Sequence, residues 1–256
     1  MKIKRIGRNI TGITFDTIQN YLTSVFLIEK ASKIYLIDTF CGSDSMKPVL
    51  KLLNNNLNKK EVVVINTHFH WDHIWGNCSF KENNIISHRI CRELSDKFWE
   101  EQIRQNGEYI SGKVEKCLPN ITFDEKIFFK NDGIELFHSP GHTIDSISIF
   151  DHEEKILYVG DNLEKPIIYV ENEDILTYIK TLENYLTYSP KEIVGSHTIS
   201  LTKYDIFSTI QYLKDLLIGK EIHFESEYVE RVHRQNMSLI HNQNKKLSDA
   251  SNVNDN

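Results

Sequence analysis

Apolar residues in this chain gather in short runs, and the spacing within each run separates strand from helix. Residues 21–28 (Tyr-Leu-Thr-Ser-Val-Phe-Leu-Ile) and 33–38 (Lys-Ile-Tyr-Leu-Ile-Asp) flank Glu29-Lys30-Ala31-Ser32 and predict a hairpin. Over 44–58, Met46, Val49, Leu50, Leu52, Leu53 and Leu57 recur at helical spacing. Val62-Val63-Val64-Ile65 is β-branched and bounded by charge, which predicts a strand over 62–66 covered on both faces. Residues 88–117 carry Phe98, Trp99, Ile103, Tyr109, Ile110 and Val114 in a helical pattern. Such an insertion suits either a cap over a site or an outer helical layer. Strands are expected again at 121–123, 126–130, 134–138, 146–150 and 155–159, a helix at 172–187, a short strand from Ile193, and helices at 203–218 and 226–241. The tail 242–256 is rich in Asn, Lys, Ser and Asp and is expected to be disordered, leaving one domain over 1–241. Strand, helix and strand in that order predict a layered α/β architecture with helices laid on the sheets.

The residues just past the strand ends change the picture. The run ending at Ile65 leads into Thr67-His68-Phe69-His70-Trp71-Asp72-His73. A lone histidine is ordinarily a surface or hydrogen-bonded core residue, but three imidazoles and a carboxylate this close together at a strand end have the chemistry of a divalent-metal site. His68 and His70 point the same way if extended geometry persists, and Asp72 and His73 fall where the chain turns. The same arrangement, an apolar strand and then a metal-type side chain, recurs at His142, Asp161 and His197. Pro140-Gly141, Gly160 and Gly195 stand just before these residues, where a tight turn or close approach is needed. Strand-end residues of neighbouring strands converge at one sheet edge.

Composition adds limits. The chain of 256 residues is 40% hydrophobic and 26% charged, with a formal charge of −6, and it has no apolar stretch of membrane-spanning length. That charge argues against nucleic acid as a main partner, since phosphate contacts need clustered Lys and Arg. The basic start Met1-Lys2-Ile3-Lys4-Arg5 does not lead into an apolar segment, so export by a standard signal peptide is not expected. Cys41, Cys78, Cys91 and Cys117 form no CxxC pair, which fits a reducing, cytoplasmic setting with packing roles for the thiols. Cys78 is a candidate thiol beside the histidines, and Trp71 and Trp75 flank the cluster. Nothing in the sequence addresses oligomeric state.

The HxHxDH run after an apolar strand, with His142, Asp161 and His197 further on, resembles the metallo-β-lactamase superfamily over about Asn20 to Thr198. The resemblance implies a four-layer αββα sandwich, two mixed sheets enclosed by helices with the site at one edge. It also implies that His68, His70 and His142 bind one metal, that Asp72, His73 and His197 bind a second, and that Asp161 bridges both. Two zinc ions are expected, with Fe or Mn as alternatives. They would share a hydroxide formed from water whose pKa is lowered toward ~7, with Asp72 orienting it. Behind the ligands the candidates are Asp38, Thr67, Thr143 and Asn162, with Asp145 a further one; capping of a turn is the competing role for Asp145 and Asn162. The resemblance is nearest the glyoxalase II-like acyl hydrolases. The true β-lactamases generally lack the bridging aspartate, and acyl-homoserine lactonases commonly have Tyr where Glu164 stands. The implied activity is hydrolysis of a small ester, thioester or lactone. A phosphodiesterase of the same fold, a mono-iron oxidoreductase resembling persulfide dioxygenase and a non-catalytic metal-binding protein remain as alternatives.

Overall fold

The protein is described by a computed structural model covering residues 1–18, 21–56 and 60–253. In chain order the elements are β1 (Lys2–Gly7), β2 (Ile10–Ile18), β3 (Tyr21–Glu29), β4 (Lys33–Ile37), α1 (Ser43–Asn56), β5 (Glu61–Ile65), α2 (Trp71–Ile74), β6 (Asn84–His88) and α3 (Arg89–Asn106). After these come β7 (Ile121–Phe123), β8 (Lys126–Phe129), β9 (Ile134–His138), β10 (Ile147–Asp151), β11 (Ile156–Tyr158), α4 (Ile175–Thr187), β12 (Glu192–Val194), α5 (Lys203–Leu217) and α6 (Glu227–Val253). One sheet has the order β1-β2-β3-β4-β5-β6-β7 and the other β12-β11-β10-β9-β8. β4, β5, β6 and β7 run parallel, as do β11 and β12, so both sheets are mixed.

Alternation along the strands sends neighbouring side chains into different cores. Phe26, Ile28, Tyr35, Ile37, Val63 and Ile65 of the first sheet meet Ile134, Leu136, Ile147, Ile149, Ile156 and Tyr158 of the second. The residues between them face outward: Val25, Leu27, Ile34, Leu36 and Val64 pack on Met46, Val49 and Leu53 of α1. Phe137, Phe150 and Leu157 pack on α4 and α5 through Tyr178, Leu182, Tyr185, Ile206 and Leu213. Helix, sheet, sheet and helix are therefore the four layers expected. Burying one such aliphatic side chain contributes about 1.5–3 kcal/mol, which explains why strands this short hold their register.

Four differences from the sequence-based expectation have physical causes. β1 and β2 lie outside that expectation, because β1 is a charged edge strand whose Lys2, Lys4 and Arg5 are exposed. β6 lies outside it too; it runs straight into α3, with the His88 ring accepting from the Ile90 amide at 3.2 Å. The helical pattern over 88–117 is regular helix only over Arg89–Asn106, with a short 3-10 turn at Gly107–Tyr109 after it. Beyond that turn the main chain bonds to the segment leading into α1 instead of to itself, through Ser43 N–H to Lys113 O (2.9 Å), Asp44 N–H to Ser111 O (3.0 Å) and Ser111 N–H to Cys41 O (2.9 Å). The helix expected over 44–58 is found at Ser43–Asn56, with 57–59 outside the described residues. At the other end α6 continues to Val253, into the tail expected to be disordered; 242–253 contains no Pro or Gly to stop a helix, and 254–256 are outside the described residues. No helix among the described residues is long and apolar enough to cross a membrane.

Candidate metal centre

The loops after β4, β5, β9, β11 and β12 meet at one edge of the sandwich, and main-chain bonds lock them to each other. Ile147 N–H donates to Thr67 O (2.8 Å) across the two sheets, Ser24 N–H to Ser196 O (2.7 Å), and Ser196 N–H to Gly160 O (3.0 Å). Two glycines allow this closeness. A Cβ on Gly141 would lie 2.5 Å from Asn162 Oδ1, and Gly160 adopts a φ of +55° with Thr67 against it. All seven side chains singled out as ligands from the sequence come together here, in three groups: His68, His70 and His142; His68, His73 and Asp161; and Asp72, His73 and His197.

The outer nitrogen of each imidazole is held by an acceptor, which assigns its tautomer. His70 Nε2 faces Glu171 Oε2 at 3.1 Å. His142 Nδ1 donates to Tyr169 O (2.8 Å), and His197 Nδ1 donates to Leu22 O (2.7 Å). His73 Nδ1 donates to Asp38 Oδ2 (2.9 Å). The Thr67 hydroxyl donates to Asp38 Oδ2 (2.7 Å), so it accepts from His68 Nδ1 at 3.1 Å. In the neutral rings every inner nitrogen is therefore a lone pair. His70 Nδ1 nevertheless stands 3.0 Å from His68 Nε2 and 3.2 Å from His142 Nε2, an arrangement of acceptors facing acceptors. Only positive charge placed among them satisfies all three.

The second half of the cluster has the same character. Asp161 Oδ2 lies 3.0 Å from His197 Nε2, 3.3 Å from His73 Nε2 and 3.7 Å from His68 Nε2. Asp72 Oδ2 is 3.4 Å from His73 Nε2 and 3.6 Å from His197 Nε2. Asp72 Oδ2, Asp161 Oδ1 and His73 Nε2 are buried without a hydrogen-bond partner. Burial keeps His68 and His142 neutral by pushing their pKa values down. Burial also opposes charge on His73, but Asp72 and Asp161 outweigh it and lift His73 well above the usual imidazole range. For His197, burial is likewise outweighed, chiefly by Asp161, and its pKa rises to about 10. Burial opposes ionisation of Asp161, yet His197, His73 and His68 hold it well below the carboxylate range. The centre draws in protons where it lacks other cations, so the donor set fits divalent metal.

Asp38 is buried with a φ of +60°, and it also accepts from the Thr67 amide (2.7 Å). One carboxylate thus orients both His73 and the strand end that carries His68. Asn162 grips the other side: it accepts from the His142 amide (2.8 Å) and donates to Ser139 O (2.7 Å). Thr143 differs from expectation. Its hydroxyl shares a hydrogen bond with Ser146 (2.8 Å) and its carbonyl accepts from Gly141 N–H (3.0 Å), so it shapes the His142 turn and no contact joins its side chain to a ligand. Asp145 is fully buried, and burial raises its pKa. Cys78 turns away, its thiol toward Trp75 O and Lys113 O. Trp75 is core, whereas Trp71 lines the cavity above the cluster.

That cavity, about 370 Å³, is floored by the cluster and walled by one face of α3 with Phe98, Glu101, Gln102, Gln105 and Asn106. Its remaining sides are Tyr21, Phe69, Glu164, Tyr169 and Glu171. Tyr21 and Glu171 carry no signal in the sequence, because each approaches the site through folding and neither stands in a motif, whereas the α3 wall corresponds to the helical pattern read over 88–117 as a cap or an outer layer. Tyr21 OH lies 3.3 Å from His197 Nε2. Burial raises Glu171, but the His70 contact outweighs it and lowers its pKa to about 2; burial pushes Glu164 up to about 8.

Comparison with known proteins gives a consistent result. The family described as the metallo-beta-lactamase superfamily matches residues 19–197. The chain is 28% identical over 145 residues to the hydroxyacylglutathione hydrolase of Pelagibacter ubique, covering 55% of this chain and 50% of that protein. It is 24% identical over 200 residues to the beta-lactamase-like protein 2 homolog of Drosophila melanogaster, covering 76% of this chain and 63% of that protein. The match thus spans about half to three fifths of these curated relatives. Among solved structures, the metallo-beta-lactamase from Pontibacter korlensis shares the fold, with a TM-score of 0.66 at 19% identity over 84% of this chain and 99% of that one.

Proposed function

Because this chain belongs to the metallo-β-lactamase superfamily, we propose that it is a dinuclear zinc hydrolase of a small ester, thioester or lactone. The observation that supports this most is the set of five imidazole lone pairs and two carboxylates turned toward one buried centre under an open cavity. His68, His70 and His142 would hold one ion, Asp72, His73 and His197 the other, and the Asp161 carboxylate would join the two. Bound there, the ions supply a nucleophile by acidifying water and polarise the acyl oxygen.

The protein's own groups do the rest. Asp38, Thr67, Glu171, and the Leu22 and Tyr169 carbonyls hold the imidazoles in the tautomers that keep their inner lone pairs free. Asp72 has an oxygen without a partner, suited to accept a hydrogen bond from the attacking water and fix its lone pair on the acyl carbon. Water and the acyl compound give a carboxylate and a thiol or alcohol as the bond from the acyl carbon to the leaving sulfur or oxygen breaks; of water's two protons one ends on that leaving atom and the other in solvent. The similarity to a protein named hydroxyacylglutathione hydrolase favours acyl hydrolysis over the superfamily's other chemistries.

The test is metal analysis of protein purified without added metal, alongside a screen of p-nitrophenyl esters, thioesters, lactones and bis-p-nitrophenyl phosphate. Two zinc ions per chain and turnover of an acyl substrate are expected. Asp161→Ala should lower metal content and reduce activity by at least about 100-fold, since loss of the shared carboxylate frees two cations to repel each other. One iron per chain, or activity confined to the phosphodiester, would overturn the reading.

A further inference from the structure

The cavity is not evenly charged. Beyond the ligand cluster it carries the side chains of Glu101, Glu164 and Glu171, and none of the described residues lining it is Lys or Arg. Glu171 is tied to His70 on one side and is partly exposed on the other. Glu101 accepts from the Gln105 side-chain amide at 3.0 Å. Beside it Gln102 is 6% exposed; its amide N–H donates to Phe69 O (3.2 Å), while its own carbonyl oxygen has no partner. Phe69 and Phe98 face each other across this corner with ring centroids 5.9 Å apart, and Tyr169 lines the opposite side.

This corner of the cavity thus presents negative charge and aromatic rings. Both favour a guest that brings positive charge. A substrate bearing carboxylates or phosphates away from its acyl group would meet Glu101 and Glu171 with like charge. Building on the hydrolase reading, we infer that the substrate is a cationic acyl compound: an ester or thioester with an ammonium group, its carbonyl over the cluster and its ammonium against Glu101 and Phe69. Glu101 then acts as a specificity-determining residue.

A matched pair of thioesters tests this, one with a 2-(dimethylamino)ethyl leaving group, protonated at neutral pH, and one with the equally shaped, neutral 3-methylbutyl group. The readout is the ratio of their kcat/KM values in the zinc-loaded full chain and in Glu101→Gln and Glu101→Lys; intrinsic leaving-group reactivity cancels between proteins. The ratio should fall roughly tenfold in Glu101→Gln and further in Glu101→Lys, with the wild-type preference weakening as salt is added. An unchanged ratio in both variants overturns the inference and leaves the hydrolase reading standing. If neither thioester is cleaved, calorimetry with the corresponding non-hydrolysable thioethers decides the inference, and the screen of esters and lactones decides the hydrolase reading separately. Binding of the ammonium thioether no tighter than the neutral one would overturn the inference.

Discussion

Buried carboxylates occupy both ends of this sandwich, and the chain treats them differently. At the end where β3 leaves its sheet, Asp151 is fully buried, and Lys30, itself only 7% exposed, sets its ammonium 3.1 Å from that carboxylate and 2.6 Å from Glu153. The Glu153 and Glu154 amides donate to Asp151 as well, at 2.9 and 3.2 Å. At the other end, Asp72 and Asp161 meet imidazoles whose remaining protons already point elsewhere. One end carries its own cation and is a closed structural joint. The other has no Lys or Arg of its own, only imidazoles that take up protons in a cation's place, and is built to exchange them for one. A buried acid by itself says little; what matters is whether the fold also provides its counter-charge.

Removing the internal cation is the strongest way to break that comparison. Lys30→Met should strand Asp151 and lower unfolding free energy by about 3–5 kcal/mol. Denaturant melts would measure this, while metal content should remain that of the wild type; loss of metal in this variant would mean that the two ends are not independent. At the site end, Asp38→Asn keeps a residue that tolerates the left-handed backbone but halves the acceptor capacity behind His73 and Thr67. Metal affinity measured by chelator competition should fall by about 10–100-fold with little change in fold. The smallest effect belongs to Glu135, which contacts Lys126 (2.9 Å), His152 (2.8 Å) and Tyr188 (3.0 Å). Burial opposes its ionisation, but these partners lower its pKa below the ordinary 4.5. A depressed carboxyl stabilises the fold above its ordinary pKa and loses that contribution as pH falls through its folded value. Glu135→Gln should therefore cost about 1 kcal/mol or less at neutral pH. Melts of wild type and variant should converge in acid, and a gap that widens there would reverse the sign of this interaction.

The ligand end is largely legible in the chain because each of His68, His142, Asp161 and His197 comes after a strand whose apolar run announces where it ends. Burial on both faces makes such runs conspicuous, and strands sharing an edge bring their ends together. The hairpin at β3 and β4 is readable for the same reason. Other features lack that local signature. β1 is charged because it lies at an edge, and β6 merges with the helix it starts. Glu171 reaches His70 from a hundred residues away along a segment with no regular structure, and Glu101 and Gln102 look like the solvated face of a helix until α3 is laid over the cavity. The Lys30–Asp151 joint is equally invisible, since nothing near either residue in the chain suggests the other.

The left-handed turn at Asp38 has a consequence for which sequences this architecture can tolerate. Glycine would relax the backbone there but bring no oxygen, and glutamate would bring oxygens but resist the turn and overfill a sealed space. Aspartate alone meets both demands in full, so this position is a bottleneck through which any drift of the chain must pass unchanged.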